Sequence, residues 1–169
     1  LSTNYPLFDI TIGSLTSLWN ISKLSKEWDN SKITIPSDAK INEALDKVGS
    51  KYLELDNNTY EVYLSKEGIE LDLGAIAKGI CCDKIVEYLK NKGYEFFIVN
   101  LGGNVYVNGN SHYYQDNNQP QLIQIEDPNG DGYALELDIT NKHIVTSGSY
   151  ERDIEYEGIK YSHIINPIT

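Results

Sequence analysis

The stretch IELDLGAIAKGICCDKIVEYL, residues 69–89, constrains the fold of this chain more than any other segment. It begins with the alternation of a β-strand and ends with the spacing of an α-helix. Small residues fill the junction, where they let a ligand approach the backbone, and the free N–H groups of a helix start bind anions. With Asp72 before the turn and Lys78 in the first helical turn, the stretch predicts a phosphate-binding strand–turn–helix unit. It fits neither the Walker pattern nor the dinucleotide glycine fingerprint, so its motif signal is weak when taken alone.

Length and charge narrow the possible functions. The 169 residues suit one domain with a hydrophobic core. Lys and Arg number 14 and Asp and Glu number 25, which gives a formal charge of −11. We therefore expect no nucleic-acid partner and no binding to an anionic membrane through bulk charge. An anionic ligand needs a local site, such as a helix terminus, a well-placed lysine or a bridging cation.

The pattern along the chain predicts an α+β fold. Helical spacing follows Gly13, the segment SDAKINEALDKVG reads as a helix with Ser37 as its N-cap, and a further helix after Gly74 should bury its isoleucines, Ile80 among them. The segment TYEVYLSKEGIELDL predicts a hairpin that turns at 66–68. The apolar strand in FFIVNLGG should be central, and from Gln119 onward the chain reads as strands.

Three further segments carry side chains suited to a site, each with a structural alternative. In VNLGGN, Gly102 and Gly103 form either a β-bulge or a surface for a flat ligand, and Asn104 supplies an amide. In TSGSYER, the arginine is either a surface charge or an anion clamp. In YSHIINP, His163 is either a packing residue or a functional one. Those alternatives stay open on the residues alone.

Two other features favour structural readings. Cys81 and Cys82 are adjacent on a predicted helix, which favours small packing residues over a redox or metal pair. The segment DPNGDG places Asp127, Asn129 and Asp131 at alternate positions, like the start of a calcium loop. The expected bidentate glutamate and the flanking helices are missing from the pattern, so an ordinary β-turn is favoured.

Taken together and in order, six segments resemble one family, the ApbE-type flavin transferases, which are FAD:protein FMN transferases once described as thiamine-biosynthesis lipoproteins. The segments are FDITIGSLTSLW, IELDLGAIAKGICCDKI, FFIVNLGGNVYV, IEDP, TSGSYER and YSHIINPIT. The resemblance implies a single ApbE-like, T-fold-related α+β domain over residues 1–169, with mixed or antiparallel sheets and flanking helices. It also implies a magnesium-dependent transfer of FMN from FAD to a Thr or Ser of an acceptor flavoprotein, with release of AMP.

The same resemblance implies roles for individual residues. Lys78 would stabilise charge on the leaving phosphate, His163 would lie near the broken bond or the flavin, and Ala75 would offer its main-chain carbonyl to magnesium. Asp9 and Gly13 would lie on the adenine side. The residues expected to bind FAD are Asp9, Gly13, Asp72, Gly74, Lys78, Gly102, Gly103, Asn104, Ser147, Gly148, Tyr150, Arg152, His163 and Asn166.

Two departures from the family pattern bear on activity. The corner Asp-Pro-x-Thr-Gly is replaced by Asn166-Pro167-Ile168-Thr169, so the asparagine keeps an acceptor but loses the negative charge. The family's segment before FD and its downstream pair of an acid and a Thr, the main metal motif, are not present in these 169 residues. We therefore expect residues 1–169 alone to show no magnesium-dependent cleavage of FAD or transfer of flavin, and at most weak flavin binding. The resemblance also implies an extracytoplasmic lipoprotein anchored to a membrane through an N-terminal segment.

Three function classes remain at this stage. The first is the flavin transferase, and the second is a hydrolase, an FAD pyrophosphatase, that splits FAD into FMN and AMP at the same site. The third is a non-catalytic module that binds flavin. The products formed from FAD distinguish them.

Overall fold

The computed structural model describes residues 7–111, 119–148 and 152–168, where the chain forms short helices and antiparallel strands. The helices are α1 (Gly13–Trp19), α2 (Ile21–Leu24), α3 (Asp38–Leu45) and α4 (Gly74–Asn91). The strands are β1 (Leu53–Asp56), β2 (Glu61–Leu64), β3 (Phe97–Asn100), β4 (Asn104–Asn108), β5 (Gln121–Glu126), β6 (Tyr133–Ile139), β7 (Lys142–Val145), β8 (Asp153–Tyr156) and β9 (Ile159–Ser162). Among the described helices, none has the length and apolar character needed to cross a membrane.

The chain divides into two compact units. The first comprises Leu1–Leu73 and Gly148–Thr169, and the second comprises Gly74–Ser147. The residues that the sequence predicts for a site occur in both units. That residues 1–169 act as one domain stays a prediction.

The first unit is built from α1 to α3 and two hairpins. Strands β1 and β2 pair with each other, and so do β8 and β9, each pair antiparallel. Its buried cluster joins Ile21, Ile33 and Ile154, and Trp19 stacks on Tyr161 with ring centroids 5.4 Å apart. Hydrophobic side chains at the start of the unit thus pack on a strand more than one hundred residues later. This packing fixes the β8–β9 hairpin that carries the His163 segment.

The prediction of a hairpin that turns at 66–68 is wrong. Strand β2 pairs with the preceding strand β1, and Leu55 lies opposite Val62. The segment after the predicted turn instead approaches the start of α1, where Ile12 and Glu70 form a parallel bridge. Alternation marked both segments as extended, but it carries no information about which partner each one takes.

The second unit packs α4 on a three-stranded antiparallel sheet of order β3–β4–β7. Its buried cluster contains Cys82, Val86, Val99 and Tyr106, which confirms Cys82 as a packing residue. Two expectations are wrong here. Strand β4, and not β3, lies in the middle of the sheet, and Ile80 is 55% exposed because the buried stripe of the helix runs through Cys82 instead.

The remaining hairpin of the second unit joins β5 to β6 through the DPNGDG turn. The N–H of Asn129 donates to Asp127 Oδ1 at 2.9 Å, the internal bond of an Asx turn. The N–H of Asp127 in turn donates to the carbonyl of Gly132 at 3.1 Å and closes the loop. This geometry confirms the ordinary turn. With four helices and nine strands in the described residues, the α+β class is also confirmed.

Candidate functional site

The strand predicted before the small-residue turn is held in place by main-chain bonds. The N–H of Gly13 donates to the carbonyl of Glu70 at 3.0 Å, and the N–H of Asp72 donates to the carbonyl of Ile10 at 2.8 Å. Helix α4 then begins at Gly74 and runs for 18 residues. A helix of this length directs its free N–H groups and the positive end of its dipole towards its start, where an anion is stabilised.

Lys78 lies in the second turn of α4 and contacts the glycine corner between β3 and β4. Its Nζ donates to the carbonyl oxygen of Gly102 at 2.8 Å. Gly102 and Gly103 have φ angles of +63° and +83°, which side chains rarely adopt. The carbonyl of Gly103 accepts the N–H of Thr146 at 3.0 Å, so this corner is joined to the residue after β7. The predicted Lys78 and Gly102–Gly103 segments therefore meet within one unit.

Asn104, the first residue of β4, is 5% exposed, and its Oδ1 has no hydrogen-bond partner among the described residues. A Cβ added to Gly79 of α4 would lie 3.8 Å from its Nδ2, so the amide lies beneath the small-residue turn of the helix. Buried polar atoms in native structures are nearly always paired, and an unpaired acceptor costs about 1–3 kcal/mol. This acceptor can take an N–H or O–H donor from a ligand or from a buried water.

Asn108 gives a direct comparison at the other end of β4. It is 8% exposed and shares the face of the strand that carries Asn104 and Tyr106. Its Nδ2 donates to the carbonyl of Glu95 at 2.8 Å, and its Oδ1 accepts the hydroxyl of Tyr106 at 3.4 Å. The two asparagines thus differ in their pairing: Asn108 is a structural bridge, whereas the acceptor oxygen of Asn104 is available.

The donor set near α4 suits an anion better than a metal ion. Within the described residues, no group of three or more His, Cys, Asp or Glu side chains is placed to hold a metal. Ala75 is the second residue of α4, where a helical carbonyl accepts the N–H four residues on and points away from the helix start. The described residues therefore do not by themselves fit a magnesium ion, and the predicted Ala75 ligand stays a prediction.

Asp9 and Gly13, predicted for the adenine side, are tied to local structure. The Asp9 carboxylate accepts the Thr11 N–H at 2.9 Å, the Thr11 hydroxyl at 2.7 Å and the Ser50 N–H at 3.0 Å. Thr11 is fully buried, and its hydroxyl oxygen accepts the N–H of Gly49 at 2.7 Å. A Cβ on Gly13 would lie 2.5 Å from a backbone carbonyl oxygen. Both residues therefore have a structural reason for their identity, and their role towards adenine stays a prediction.

His163 follows β9 and lies opposite Arg152, which precedes β8. Its main-chain N–H and its ring Nδ1 each lie 3.1 Å from the Arg152 carbonyl oxygen. Asn166 closes an Asx turn by accepting the N–H of Ile168 at 2.9 Å. Of the remaining predicted residues, Ser147 is exposed, Gly148 is half-buried, and Tyr150 lies outside the described residues. The structure thus pairs Arg152 with His163 through the main chain, not through the guanidinium.

A second polar cluster joins α4 to β7, and no pattern in the sequence predicted it. His143 Nε2 lies 3.3 Å from an Asp83 carboxylate oxygen, and its Nδ1 lies 4.0 Å from Cys82 Sγ. Burial, followed by the neighbouring Asp83 charge, raises the pKa of the Cys82 thiol. A buried thiol kept protonated is a packing group, which confirms the structural alternative for Cys82, whereas Cys81 is exposed.

Sequence reasoning missed Thr146 as part of this arrangement and included Gly79 only as one of the small residues of the strand–helix junction. Gly79 stands in the small-residue run of α4, and Thr146 directly precedes the predicted SGS turn. Both were adjacent to predicted positions, but only the packing of α4 and β7 on β4 shows which neighbours they contact.

Comparison with known proteins shows the family of this chain. The sequence profile of the ApbE family matches residues 3–169. The chain belongs to the ApbE family. A protein of Klebsiella pneumoniae named FAD:protein FMN transferase is 35% identical over 162 residues, which are 95% of this chain and 46% of that protein. A Treponema pallidum protein of the same name is 34% identical and is covered to 46% of its length.

Solved structures of the ApbE family agree with this assignment. The crystal structure of the ApbE protein of Thermotoga maritima matches with a TM-score of 0.80 at 30% identity, over 95% of this chain and 49% of that one. The flavin transferase ApbE of Vibrio cholerae matches with a TM-score of 0.75 at 27% identity, covered to 48%. The expected ApbE-like fold is thereby confirmed. The chain spans about half the length of the relatives that it matches.

Proposed function

We propose that this ApbE-family chain binds FAD and takes part in the transfer of FMN from FAD to a Thr or Ser hydroxyl of an acceptor flavoprotein. In that reaction the hydroxyl oxygen forms a bond to the phosphorus of the FMN half, and the bond between that phosphorus and the bridging oxygen breaks. AMP leaves with the electron pair, and the hydroxyl proton passes to a base. The relatives named FAD:protein FMN transferase support the reaction class.

The observation that carries the proposal is the buried Oδ1 of Asn104, which has no partner among the described residues and belongs to an amide that lies beside Gly79 of α4. A ligand at this place needs acceptors for the helix N–H groups and a donor for this oxygen. FAD offers both, because its pyrophosphate is anionic and its ribityl, ribose and ring groups carry O–H and N–H donors. The polar groups of the site are therefore compatible with a dinucleotide.

Lys78 supplies positive charge at the same end of α4. Its ammonium holds the Gly102 carbonyl at 2.8 Å and has two further N–H donors. A fixed cation beside a breaking pyrophosphate bond stabilises the charge that develops on the leaving phosphate. The bond to Gly102 also positions the glycine corner, so Lys78 has both an electrostatic and a structural task in this proposal.

Magnesium, expected from the resemblance, is part of the proposal only as a requirement to be tested. When bound, a divalent ion would supply Lewis-acid stabilisation of the phosphate oxygens. The described residues provide no cluster for it, so we assign it no step and no ligand beyond the predicted Ala75 carbonyl. Chelation with EDTA, followed by return of Mg²⁺, measures the requirement directly.

The test incubates the chain with FAD and Mg²⁺, with and without an acceptor peptide that contains Thr and Ser. The Treponema pallidum relative serves as a positive control. A fluorescent acceptor together with AMP supports the transferase, and free FMN with AMP would assign a hydrolase instead. FAD that is bound but unchanged would match the weak binding expected of these 169 residues alone and would make this chain a flavin-binding module, and absence of binding would contradict the proposal.

Two lysines of α4 give a matched pair of variants for this assay. Lys78→Gln removes the charge beside Gly102, whereas Lys84→Gln removes a charge from a side chain that is 75% exposed and paired with Glu87. We expect Lys78→Gln to weaken FAD binding or turnover and Lys84→Gln to leave both unchanged. Equal effects of the two substitutions would show that only the overall charge of the helix matters.

We also propose that the protein works outside the cytoplasm, anchored to a membrane, with a redox flavoprotein as its acceptor. This proposal rests on the family resemblance alone. Cell fractionation with an antibody to the chain tests it, and recovery in the cytosolic fraction would contradict it.

A further inference from the structure

The inference concerns the outer edge of β7, the last strand in the order β3–β4–β7. Strand β7 pairs with β4 on one side, where Val145 lies opposite Asn104. The N–H of Thr146 donates to the carbonyl of Gly103 at 3.0 Å, so these two residues form a hydrogen-bonded pair. Because hydrogen-bonded and non-hydrogen-bonded pairs alternate along an antiparallel ladder, the main-chain groups of Val145 and His143 point away from β4.

These outward groups are two N–H donors and two carbonyl acceptors, and they have no main-chain partner among the described residues. An open strand edge is a template for another strand, and proteins usually block such an edge with a charge, a proline or a bulge. Lys142 supplies a charge at the end of β7 that lies far from the glycine corner. Ile144 and Val145, at the end that leads to the corner, carry none of these features.

The same edge leads to the candidate site. His143 contacts Asp83 of α4, and side chains two residues apart share a face of a sheet, so Val145 also points to the α4 side. Asn104, directly opposite Val145, faces α4 at Gly79. The Val145 side chain is 62% exposed, so the α4 side of the sheet is open at this end of β7.

The other outer edge of the sheet, along β3, differs on this side. Val99 of β3 is 7% exposed and belongs to the buried cluster that joins the sheet to α4. Phe97 packs against the same cluster. The α4 side of the sheet is therefore filled along β3 and open at the end of β7.

We propose that the outer edge of β7 receives an extended segment of the acceptor protein as an added strand. This proposal rests on the proposed function, since transfer of FMN requires a Thr or Ser hydroxyl of another protein at the site. Main-chain bonds to His143 and Val145 hold the segment, which is the recognition mode of β-strand addition. In an antiparallel arrangement the residue opposite Val145 points to the α4 side, two strand spacings or about 10 Å from β4. The acceptor hydroxyl belongs at this position.

A second copy of this chain is the less favoured occupant. Two chains that each carry a formal charge of −11 repel one another, whereas an uncharged or basic segment is not repelled. The acceptor segment is therefore expected to lack acidic residues beside its Thr or Ser.

The test measures amide hydrogen exchange by nuclear magnetic resonance on the chain labelled with ¹⁵N. The probe is the peptide acetyl-Gln-Val-Gln-Thr-Gln-Val-Gln-amide. Without peptide, the amides of Ile144 and Thr146 should exchange slowly and those of His143 and Val145 rapidly. With peptide at about ten times its Kd, the latter two should exchange about tenfold more slowly, because the bound state protects them. Unchanged exchange at these two amides, or protection only along the outer edge of β3, would overturn the proposal.

Two N-methylated forms of the peptide test whether its main chain pairs with β7. In an added strand only alternate N–H groups point to the neighbouring strand. Methylation of the threonine and both valine nitrogens removes the donors that face β7 and should weaken binding by about tenfold or more. Methylation of the two inner glutamine nitrogens should leave binding unchanged. Equal effects of the two forms, or a loss confined to the second form, would overturn the proposal.

Two variants of Val145 give the matching test on the protein. Val145→Pro removes the outward N–H and leaves the bonds to β4, because proline is tolerated where the N–H of an edge strand faces solvent. Val145→Thr keeps this N–H and the branched shape. We expect Val145→Pro to weaken peptide binding by about tenfold and Val145→Thr to leave it unchanged. Slow exchange at Ile144 checks that the sheet is intact in both variants, and equal binding by them would contradict the main-chain role.

Two other occupants give distinct outcomes. Exchange at His143 and Val145 that slows with rising chain concentration, without peptide, would assign the edge to a second copy and overturn the proposal. The relatives are about twice as long as this chain, so their other half is a further candidate. Slow exchange at the matching amides of the peptide-free Treponema pallidum relative would assign the edge to that half instead.

These measurements need no turnover, so the inference and the proposed function can fail separately. Protection of the β7 edge by the peptide in a chain that does not bind FAD would refute the proposed function and leave strand addition established. A chain that binds FAD but whose β7 edge the peptide leaves unprotected would refute the inference alone.

Discussion

The substitution Asn104→Leu tests whether the unpaired amide is kept for a ligand. Leucine has nearly the shape of asparagine but no polar atoms, so the change removes the buried Oδ1 that lacks a partner. An unsatisfied buried polar atom costs about 1–3 kcal/mol, and the new methyl groups are buried at a site that is 5% exposed. We expect the ligand-free chain to gain about 1–2 kcal/mol in free energy of unfolding. For a domain of this size that gain raises the Tm by about 2–4 °C per kcal/mol.

Asn108→Leu is the matched control, because it makes the same change on the same face of the same strand. This substitution removes the donor to the Glu95 carbonyl and the acceptor of the Tyr106 hydroxyl, which keeps only its bond from Lys90 Nζ at 2.9 Å. Removing one partner of a buried pair costs about 1–3 kcal/mol. The two substitutions should therefore shift the unfolding free energy in opposite directions, although both replace an asparagine by leucine in β4.

The assay is urea unfolding of each variant with and without FAD. Bound FAD should stabilise the wild-type chain by RT ln(1 + [FAD]/Kd), and Asn104→Leu should lose part of this gain. Loss of one hydrogen bond of about 0.5–1.5 kcal/mol weakens Kd by roughly 2- to 12-fold. If Asn104→Leu destabilises the chain as much as Asn108→Leu does, the oxygen is paired without ligand. If FAD affinity is unchanged, Asn104 does not contact FAD. Either result refutes the reasoning.

Three further predictions concern the rest of the chain. Gly13→Ala should lower the free energy of unfolding by about 1–3 kcal/mol, because its Cβ would lie 2.5 Å from a carbonyl oxygen, and an unchanged urea midpoint would contradict this. Alkylation followed by mass spectrometry should label the exposed Cys81 in the native chain and Cys82 only after unfolding, since burial raises the pKa of the Cys82 thiol; equal labelling rates would contradict this. The hydrogen bond from Lys66 lowers the pKa of Asp46, so its stabilisation is present above the ordinary pKa of about 3.9 and is lost as pH falls through the lowered value. The Tm difference between wild type and Asp46→Asn should shrink over that acid range, and a difference independent of pH would exclude this contact as its source.

Local pattern predicted the elements of this fold well and their partners poorly. The spacing after Gly13 and the small-residue run at the start of α4 are local signals, and both helices form where they were expected. The pairing of β2 with β1 depends on a partner that alternation does not specify. The same limit applies to β3, whose continuous apolar run indicates burial but not its place in the order β3–β4–β7.

The candidate site shows the same division. The glycine corner and Lys78 could be predicted because backbone freedom and charge are properties of single residues. The contact between Lys78 and the Gly102 carbonyl could not be predicted from the sequence, because it depends on how α4 packs along the β3–β4–β7 sheet. Thr146 was missed for the same reason, and Gly79 was noted only as a small residue: each matters through the neighbour that the packing brings to it.

Pairing of polar atoms separates the structural residues of this chain from those suited to a ligand. Asp9 is charged and belongs to a segment that resembles the family, yet all its described bonds go to Thr11 and Ser50. Substitution of Asp9 would remove its hydrogen bonds to Thr11 and Ser50. A fall in activity of such a variant would therefore not by itself show that Asp9 contacts FAD. Asn104 is neutral and buried, and its oxygen is unpaired among the described residues. A folded chain tolerates an unpaired buried atom only if its other interactions provide enough stability. A hydrogen bond from a ligand would offset the cost of this one. In this chain a residue type alone is therefore a weaker indication of a binding role than a buried polar atom without a partner.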